Sequence, residues 1–217
     1  MSDYKDYFKS HYNYNFSKKD IDDYSNWFYA QWNFINNKVP IHADDNILEI
    51  GSGIGGFYSF LNKSNKKKYL GLELDKNAVD FANRFFETKV FKNESITDFN
   101  NTNTYNIVFA FEVLEHLDYP KQEIEKIHLL LKKNGYFCGT SPYPFKKNIF
   151  ADKTHVYVLH PENWKRIFFE AGFRSVQTFP MSFLPFVWRI NKYLNPRMPM
   201  YVPFNYFIST CLIIAKK

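Results

Sequence analysis

At 217 residues, with 45% hydrophobic and 23% charged residues, the chain has the length and balance of one folded domain, which excludes a disordered or low-complexity protein. The formal net charge of +6 would suit nucleic acid or an anionic membrane surface, but Lys, Asn, Ile, Phe and Tyr are all abundant, as in an AT-rich coding sequence, so the charge assigns no partner and nucleic acid is not expected. Two cysteines, Cys138 and Cys211, sit inside apolar runs and exclude a disulfide framework or a zinc cluster; free thiols in a reducing cytoplasm are expected, and no metal. The N-terminal stretch lacks the apolar region of a signal peptide, and no apolar run reaches the ~18 residues of a membrane span.

Residues 1–40 are polar and aromatic. Ile21, Tyr24, Trp27, Phe28, Phe34 and Ile35 recur near helical spacing, which predicts a helical cap with Asp20 at its start. Ile47, Leu48 and Ile50 form a short buried strand that runs into Gly51, Gly53, Gly55 and Gly56, and Phe57, Phe60 and Leu61 then open a helix. Lys63 to Lys68 reads as a solvated connection. Tyr69–Asp75 is a second strand ending in acids, Asn77–Glu87 a helix, Val90–Asn93 a short third strand, and Tyr105–Phe111 a fourth. Gln122–Lys133 is an amphipathic helix closed by Asn134–Gly135, and Gly135–Thr140 is a fifth strand. The alternation predicts an α/β fold with a doubly wound parallel sheet, whose ligands bind at the carboxyl ends of its strands. Residues 142–160 form a long loop of the kind that carries function. Pro161 starts a helix ended by Gly172, and Phe173–Phe179 and Tyr206–Ala215 are strands. Between them, in an insertion over 181–204, Phe183, Phe186, Val187, Ile190 and Leu194 make an apolar stripe opposite Arg189 and Lys192, open to three readings: a core helix, a dimer contact or a peripheral membrane contact.

The glycine run is a nucleotide-binding turn, because glycine permits φ > 0 and lets backbone N–H groups and a helix N-terminus approach a polar ligand. Gly51, Gly53 and Gly56 satisfy G-x-G-x-x-G, and Glu73 lies 22 positions after Gly51, as in a dinucleotide fold. Against a dinucleotide stand the shortness of the chain and Glu49, whose charge would face a pyrophosphate unfavourably.

Leu48-Glu49-Ile50-Gly51-Ser52-Gly53-Ile54-Gly55 instead resembles the first motif of class I S-adenosylmethionine (SAM) methyltransferases. Gly71-Leu72-Glu73 is similar to their second motif, Glu94-Ser95 to the adenine position after the third strand, and Asn106–His116 to the fourth-strand motif of ubiquinone-pathway O-methyltransferases. Leu131–Gly135, Asp152–His155 and Glu170–Phe173 also fit that branch. The resemblance implies a single Rossmann-like sheet over 41–217, mostly parallel with an antiparallel last strand, helices on both faces, and residues 1–40 capping the site. It implies SAM as cofactor, held by Glu49, Gly51, Ser52, Gly53, Gly55, Glu73, Leu74, Glu94, Ser95 and Phe111, with Glu73 on the ribose hydroxyls and Glu49 steadying the methionyl amine directly or through water. The acceptor is expected to be a small molecule or a glycan or lipid precursor, methylated at oxygen. His155 is the first candidate for general base, then His116, with Asp152 and His160 also considered and Tyr143 as a pocket wall. Two other readings stay open: an NAD-binding oxidoreductase, and a non-catalytic partner module using the stripe after Phe183.

Overall fold

The computed structural model describes residues 8–9, 13–150, 152–184, 187, 197–204 and 207–217. Among them, one sheet contains β1 (Ile47–Ile50), β2 (Tyr69–Glu73), β3 (Phe91–Asn93), β4 (Tyr105–Phe111), β5 (Leu131–Pro142), β6 (Ser175–Phe183), β7 (Arg197–Met198) and β8 (Ile208–Lys216). The spatial order is β3-β2-β1-β4-β5-β8-β6-β7. Strands β1 to β5 are parallel, and β8 lies antiparallel between β5 and β6, as the expected mostly parallel sheet requires. The chain winds outward through β2 and β3 on one side of β1 and through β4 and β5 on the other. A crevice therefore opens at the carboxyl ends of β1 and β4, where the order reverses.

Period-two alternation in the strands divides the core between the two sheet faces. Ile107, Phe109 and Phe111 of β4 pack with Phe28 and Ile35 of α1 (Lys18–Asn36) and Phe57 of α2 (Gly56–Phe60). The intervening Val108 and Ala110 pack with Ile124 and Ile127 of α5 (Pro120–Leu130) and Trp164 and Phe168 of α7 (Pro161–Glu170). Three further helices, α3 (Lys63–Lys66), α4 (Lys76–Phe85) and α6 (Lys146–Ile149), complete the connections. The α1 helix begins with a capping box. Ser17 is the N-cap, and Asp20, expected to be the cap itself, answers from the third helical position by accepting the Ser17 N–H at 2.8 Å.

Several boundaries differ from expectation. The Lys63–Lys68 connection contains a helical turn, α3, capped by the Asn62 side chain on the Asn65 N–H at 2.8 Å. The α5 helix stops at Leu130, not at Asn134–Gly135, because the buried Leu131 pairs with Tyr105 as the first residue of β5. Asn134, at φ +65°, then makes a kink inside that strand. Ser182 and Phe183 belong to β6, paired with Ser209 and Ile208, so the stripe does not begin as a helix there. Phe186, Arg189, Ile190, Lys192 and Leu194 lie outside the described residues. No helix among the described residues is long and apolar enough to cross a membrane.

Candidate functional site

The glycine turn is held by backbone and by one carboxylate. Gly51 and Ser52 N–H groups both donate to the Leu72 carbonyl, at 2.9 and 3.0 Å, which ties the turn to the end of β2. Gly53 N–H donates to Glu73 Oε2 at 2.9 Å, while Glu73 Oε1 accepts the Asp75 N–H at 2.9 Å. Gly51 sits at φ +69°, and a Cβ there would lie 2.4 Å from Val113 Cγ2, so neither the backbone nor the space admits a side chain. Burial raises the Glu73 carboxyl to about 7, against the hydrogen bonds from Asp75 and Gly53 that favour its charged form.

Two cavities meet at this turn. The first, of about 460 Å³, is walled by Tyr24, Trp27 and Phe28 of α1, by Phe111, and by His116, Asp152 and His155, with Ser52 and Gly53 at its floor. The second, of about 760 Å³, runs over the ends of β2 and β3 and is lined by Leu72, Glu73, Leu74, Asn93, Glu94 and Ser95. Gly51 and His116 line both. The turn thus divides one group of expected residues between a groove over the strand ends and an aromatic-walled chamber.

Of the residues expected to touch the cofactor, Phe111 lines only the first cavity, and two line neither. Glu49 shares its strand face with Ile47, which packs under α1 and α2, and its buried carboxylate takes the Tyr69 hydroxyl. That hydroxyl reaches it across Gly71, where a Cβ would lie 2.8 Å from Tyr69 Oη. Burial pushes Glu49 well above the usual carboxylate range. Glu49 lines neither cavity, so a direct contact to a methionyl amine is not what the arrangement provides, and its charge is no argument against a dinucleotide. Gly55 also lines neither: a Cβ there would lie 2.6 Å from Phe86 and 2.9 Å from Phe91, which makes it a packing residue. Tyr143 stacks on Tyr201 with ring centroids 3.8 Å apart and meets His160 edge-on, and neither Tyr143 nor His160 lines the cavities.

His116 and His155 are brought together from distant chain, with ring centroids 5.0 Å apart. His116 lies in a single 3-10 turn (Leu114–His116) after β4. The loop carrying His155 docks on that turn because the Glu115 carbonyl accepts the Val156 and Tyr157 N–H groups at 2.9 and 3.0 Å. His116 Nδ1 lies 3.0 Å from the Thr154 carbonyl and 3.1 Å from its hydroxyl, and that hydroxyl donates to Asp152 at 2.7 Å. His155 Nδ1 lies 2.9 Å from the Asn148 carbonyl, to which it donates. Burial pushes His116 down to about 4, against its bond to Thr154. Burial also tends to raise Asp152, but the N–H and hydroxyl of Thr154 and the two imidazoles outweigh it and hold that carboxyl below its ordinary value.

Two acids of this wall, Glu112 and Glu115, were not singled out from the sequence. Glu112 adopts φ +53°, an uncommon conformation for a non-glycine residue, and accepts the Thr210 hydroxyl at 2.8 Å. Glu115 is wholly buried; its carboxylate makes no close hydrogen bond, and its Oε1 lies 3.9 Å from His116 Nε2. Burial, then the neighbouring Glu112 charge, pushes Glu115 well above the carboxylate range. The spacing Glu112-x-x-Glu115-His116 directly after a strand was the available signal.

A glycine turn at the switch point, an acid at the end of the next strand and a second chamber beside it have the layout of a nucleoside-binding site of the doubly wound class. The chain belongs to the methyltransferase-domain family, which it matches over residues 33–178. Its fold is that of SAM-dependent methyltransferases, and Gly51, Glu73 and the exposed Leu74 line the larger cavity, which has room for an adenosyl group. It is 31% identical over 134 residues to a mitochondrial ubiquinone biosynthesis O-methyltransferase of Dictyostelium discoideum, covering 53% of this chain and 42% of that one. It is 33% identical over 134 residues to a tRNA (guanine-N(7)-)-methyltransferase of Clostridium botulinum, covering 60% and 52%. The chain thus spans about half the length of the curated relatives it matches. Among solved structures, a SAM-dependent methyltransferase of Thermotoga maritima shares the fold, with a TM-score of 0.69 at 15% identity over 98% of this chain and 97% of that one. Family membership replaces the oxidoreductase reading.

Proposed function

We propose that this enzyme moves a methyl group from SAM to an oxygen of a small molecule, or of a glycan or lipid precursor, held in the first cavity. Bound SAM supplies a methyl carbon made electrophilic by its sulfonium. The chain's own part is to hold the two reactants in line and to take the acceptor's proton. In this reading Glu73 receives the ribose hydroxyls, Leu74, Glu94 and Ser95 flank the base, and Gly51 and Gly53 let the backbone approach the methionyl end. Tyr24, Trp27, Phe28 and Phe111 exclude water from the acceptor. His155, turned by its bond to the Asn148 carbonyl, offers Nε2 as the base, with His116 beside it.

The observation that carries this reading is the pair His116–His155 on the wall of an aromatic chamber that adjoins the groove through Gly51. At about 460 Å³ the chamber suits a drug-sized acceptor better than a folded nucleic acid. The likeness to an O-methyltransferase at 31% identity supports oxygen, and the tRNA methyltransferases are the alternative to be tested. Two buried free thiols, Cys138 and Cys211, support a reducing compartment, the cytoplasm in this proposal. Labelled methyl SAM incubated with the enzyme and separate lipid, glycan, metabolite and tRNA fractions tests it. Label is expected in one of the first three as an alkali-stable ether. Label confined to tRNA overturns the acceptor class, and SAM binding with no transfer to any fraction returns the chain to a partner module.

A further inference from the structure

We propose that Asn148 is a positioning residue for His155, and that with Lys147 it ties the orientation of that imidazole to the chain leading into β8. Neither side chain lines the two cavities, so both act through the histidine.

The acceptor of the His155 Nδ1–H bond is a backbone carbonyl, that of Asn148, and a carbonyl is only as fixed as its turn. That turn is α6, four residues long, with no buried residue and no side-chain cap. A single helical turn is unstable in water, because its nucleus fixes several residues for one hydrogen bond, and α6 has no buried apolar face to offset that cost. Two consecutive side chains hold it instead. Asn148 Nδ2 donates to the Tyr143 carbonyl at 2.7 Å and to the Ser209 carbonyl at 3.2 Å. Lys147 Nζ donates to the Phe204 carbonyl at 2.6 Å and also to that of Phe207. Three of these four acceptors lie just before β8 or at its second residue, about sixty positions further along the chain.

The anchor at that end is well fixed. The Ser209 carbonyl also accepts the Tyr143 N–H at 3.0 Å, which joins the end of β5 to the start of β8. The buried Ser182 and Ser209 hydroxyls, 2.8 Å apart, donate to the Met200 and Val202 carbonyls at 2.7 and 2.9 Å. Asn148 therefore carries the fixed geometry of the sheet to its own carbonyl, and from there to His155. An asparagine amide suits this task because it offers two donors on a short stem. With the bond in place the proton stays on Nδ1 and the lone pair on Nε2, the nitrogen that faces chemistry. If the turn drifts, part of the population carries its proton on Nε2 and cannot act as base. The rate consequence rests on the reading of His155 as base; the orientation of the ring does not.

The full chain labelled with 15N-histidine tests this without any acceptor. Long-range proton–nitrogen spectra at about pH 8 report which ring nitrogen holds the proton, and the signals missing in His155→Ala assign His155. Wild type is expected to show the Nδ1–H tautomer, and Asn148→Ala a mixture of both. Transfer of labelled methyl from SAM to the accepting cell fraction should fall at least about tenfold in Asn148→Ala, with SAM affinity by calorimetry within about twofold, which also shows that the variant is folded. Lys147→Met, which keeps the apolar stem, should give a smaller loss of the same kind. Adding Asn148→Ala to His155→Ala should cost no further rate, since two residues that act as a unit are not additive. A pure Nδ1–H signature in Asn148→Ala overturns the positioning role, and so does a further tenfold fall in the double variant. Near-normal transfer in His155→Ala, beside a mixed tautomer in Asn148→Ala, instead overturns the base and upholds the positioning.

Discussion

The second cavity is built from short stretches that follow strands β1 to β4, with Gly51, Leu72, Glu73, Asn93, Glu94 and Val113 all within a few residues of a strand end. The first draws on chain as far apart as Phe8, Tyr24, Phe111, His155 and Ile208. The groove needs only backbone conformation and one acid, which a local motif can encode. The chamber needs a helix packed across the turn and a loop docked on a 3-10 turn, which only the folded chain brings together. Gly56 shows how closely the two are joined: a Cβ there would lie 2.5 Å from Tyr24 Cβ, so α1 rests directly on the end of the glycine turn. Substitutions at one end should therefore separate cofactor binding from acceptor chemistry, and those at the junction should not.

The largest effect is expected at the junction. Gly51→Val places a side chain at 2.4 Å from Val113 in a positive-φ conformation, and should abolish SAM binding by calorimetry as well as all transfer. Next, Glu73→Ala should weaken SAM by about a hundredfold, the equivalent of two charge-assisted bonds at ~1.5 kcal/mol each, while acceptor affinity changes little. An unchanged dissociation constant would remove Glu73 from the cofactor. A loss of similar size, confined to turnover, is expected for His155→Ala. SAM affinity should hold within about twofold while the rate falls about a hundredfold, so near-normal turnover would break the division between the two ends.

That division also explains what was legible in the sequence. The succession of strands and helices and the placement of Gly51, Glu73, Leu74, Glu94 and Ser95 along one groove follow from apolar runs that end in glycine or acid, a pattern set by neighbours in the chain, whereas the antiparallel β8 is implied only by the family resemblance. Glu49 does not reach the groove directly because alternation decides which face a strand residue takes. Its face is that of Ile47, turned towards α1 and α2. Gly55 was grouped with its neighbours, although its space is taken by Phe86 and Phe91 from other elements. Glu115 is not legible in the sequence because a buried carboxylate cannot be told from a surface one by residue type. Its contact with the His155 segment runs through a backbone carbonyl that no side chain announces. The helix ending at Leu130 instead of Asn134 has the same origin, a β-pairing of Leu131 with Tyr105 that overrides a local helix-stop signal.

The smallest expected effect is a pH dependence that only the groove should show. Glu73 is 1% exposed, and burial raises its carboxyl to about 7 in the folded protein. In the unfolded chain it returns to the ordinary carboxylate range near 4.3. Because the folded state holds the proton more tightly, the folded free protein is favoured by protonation of Glu73. That contribution to stability falls as pH rises from about 4.5 to about 7, by on the order of 3 kcal/mol in all, and is flat above. SAM should respond in the opposite sense, since ribose hydroxyls donate to the ionised form. Affinity should rise about tenfold between pH 6 and pH 8 as the carboxylate becomes available, with close to one proton released on binding at pH 6. Calorimetry in two buffers of different ionisation enthalpy measures that release directly. Glu73→Gln should bind more weakly and lose the pH slope, while His155→Ala, at the other end of the site, should keep it. A wild-type affinity that is flat from pH 6 to pH 8 would mean that Glu73 stays ionised in the folded chain, held by the Gly53 and Asp75 N–H groups more strongly than burial opposes.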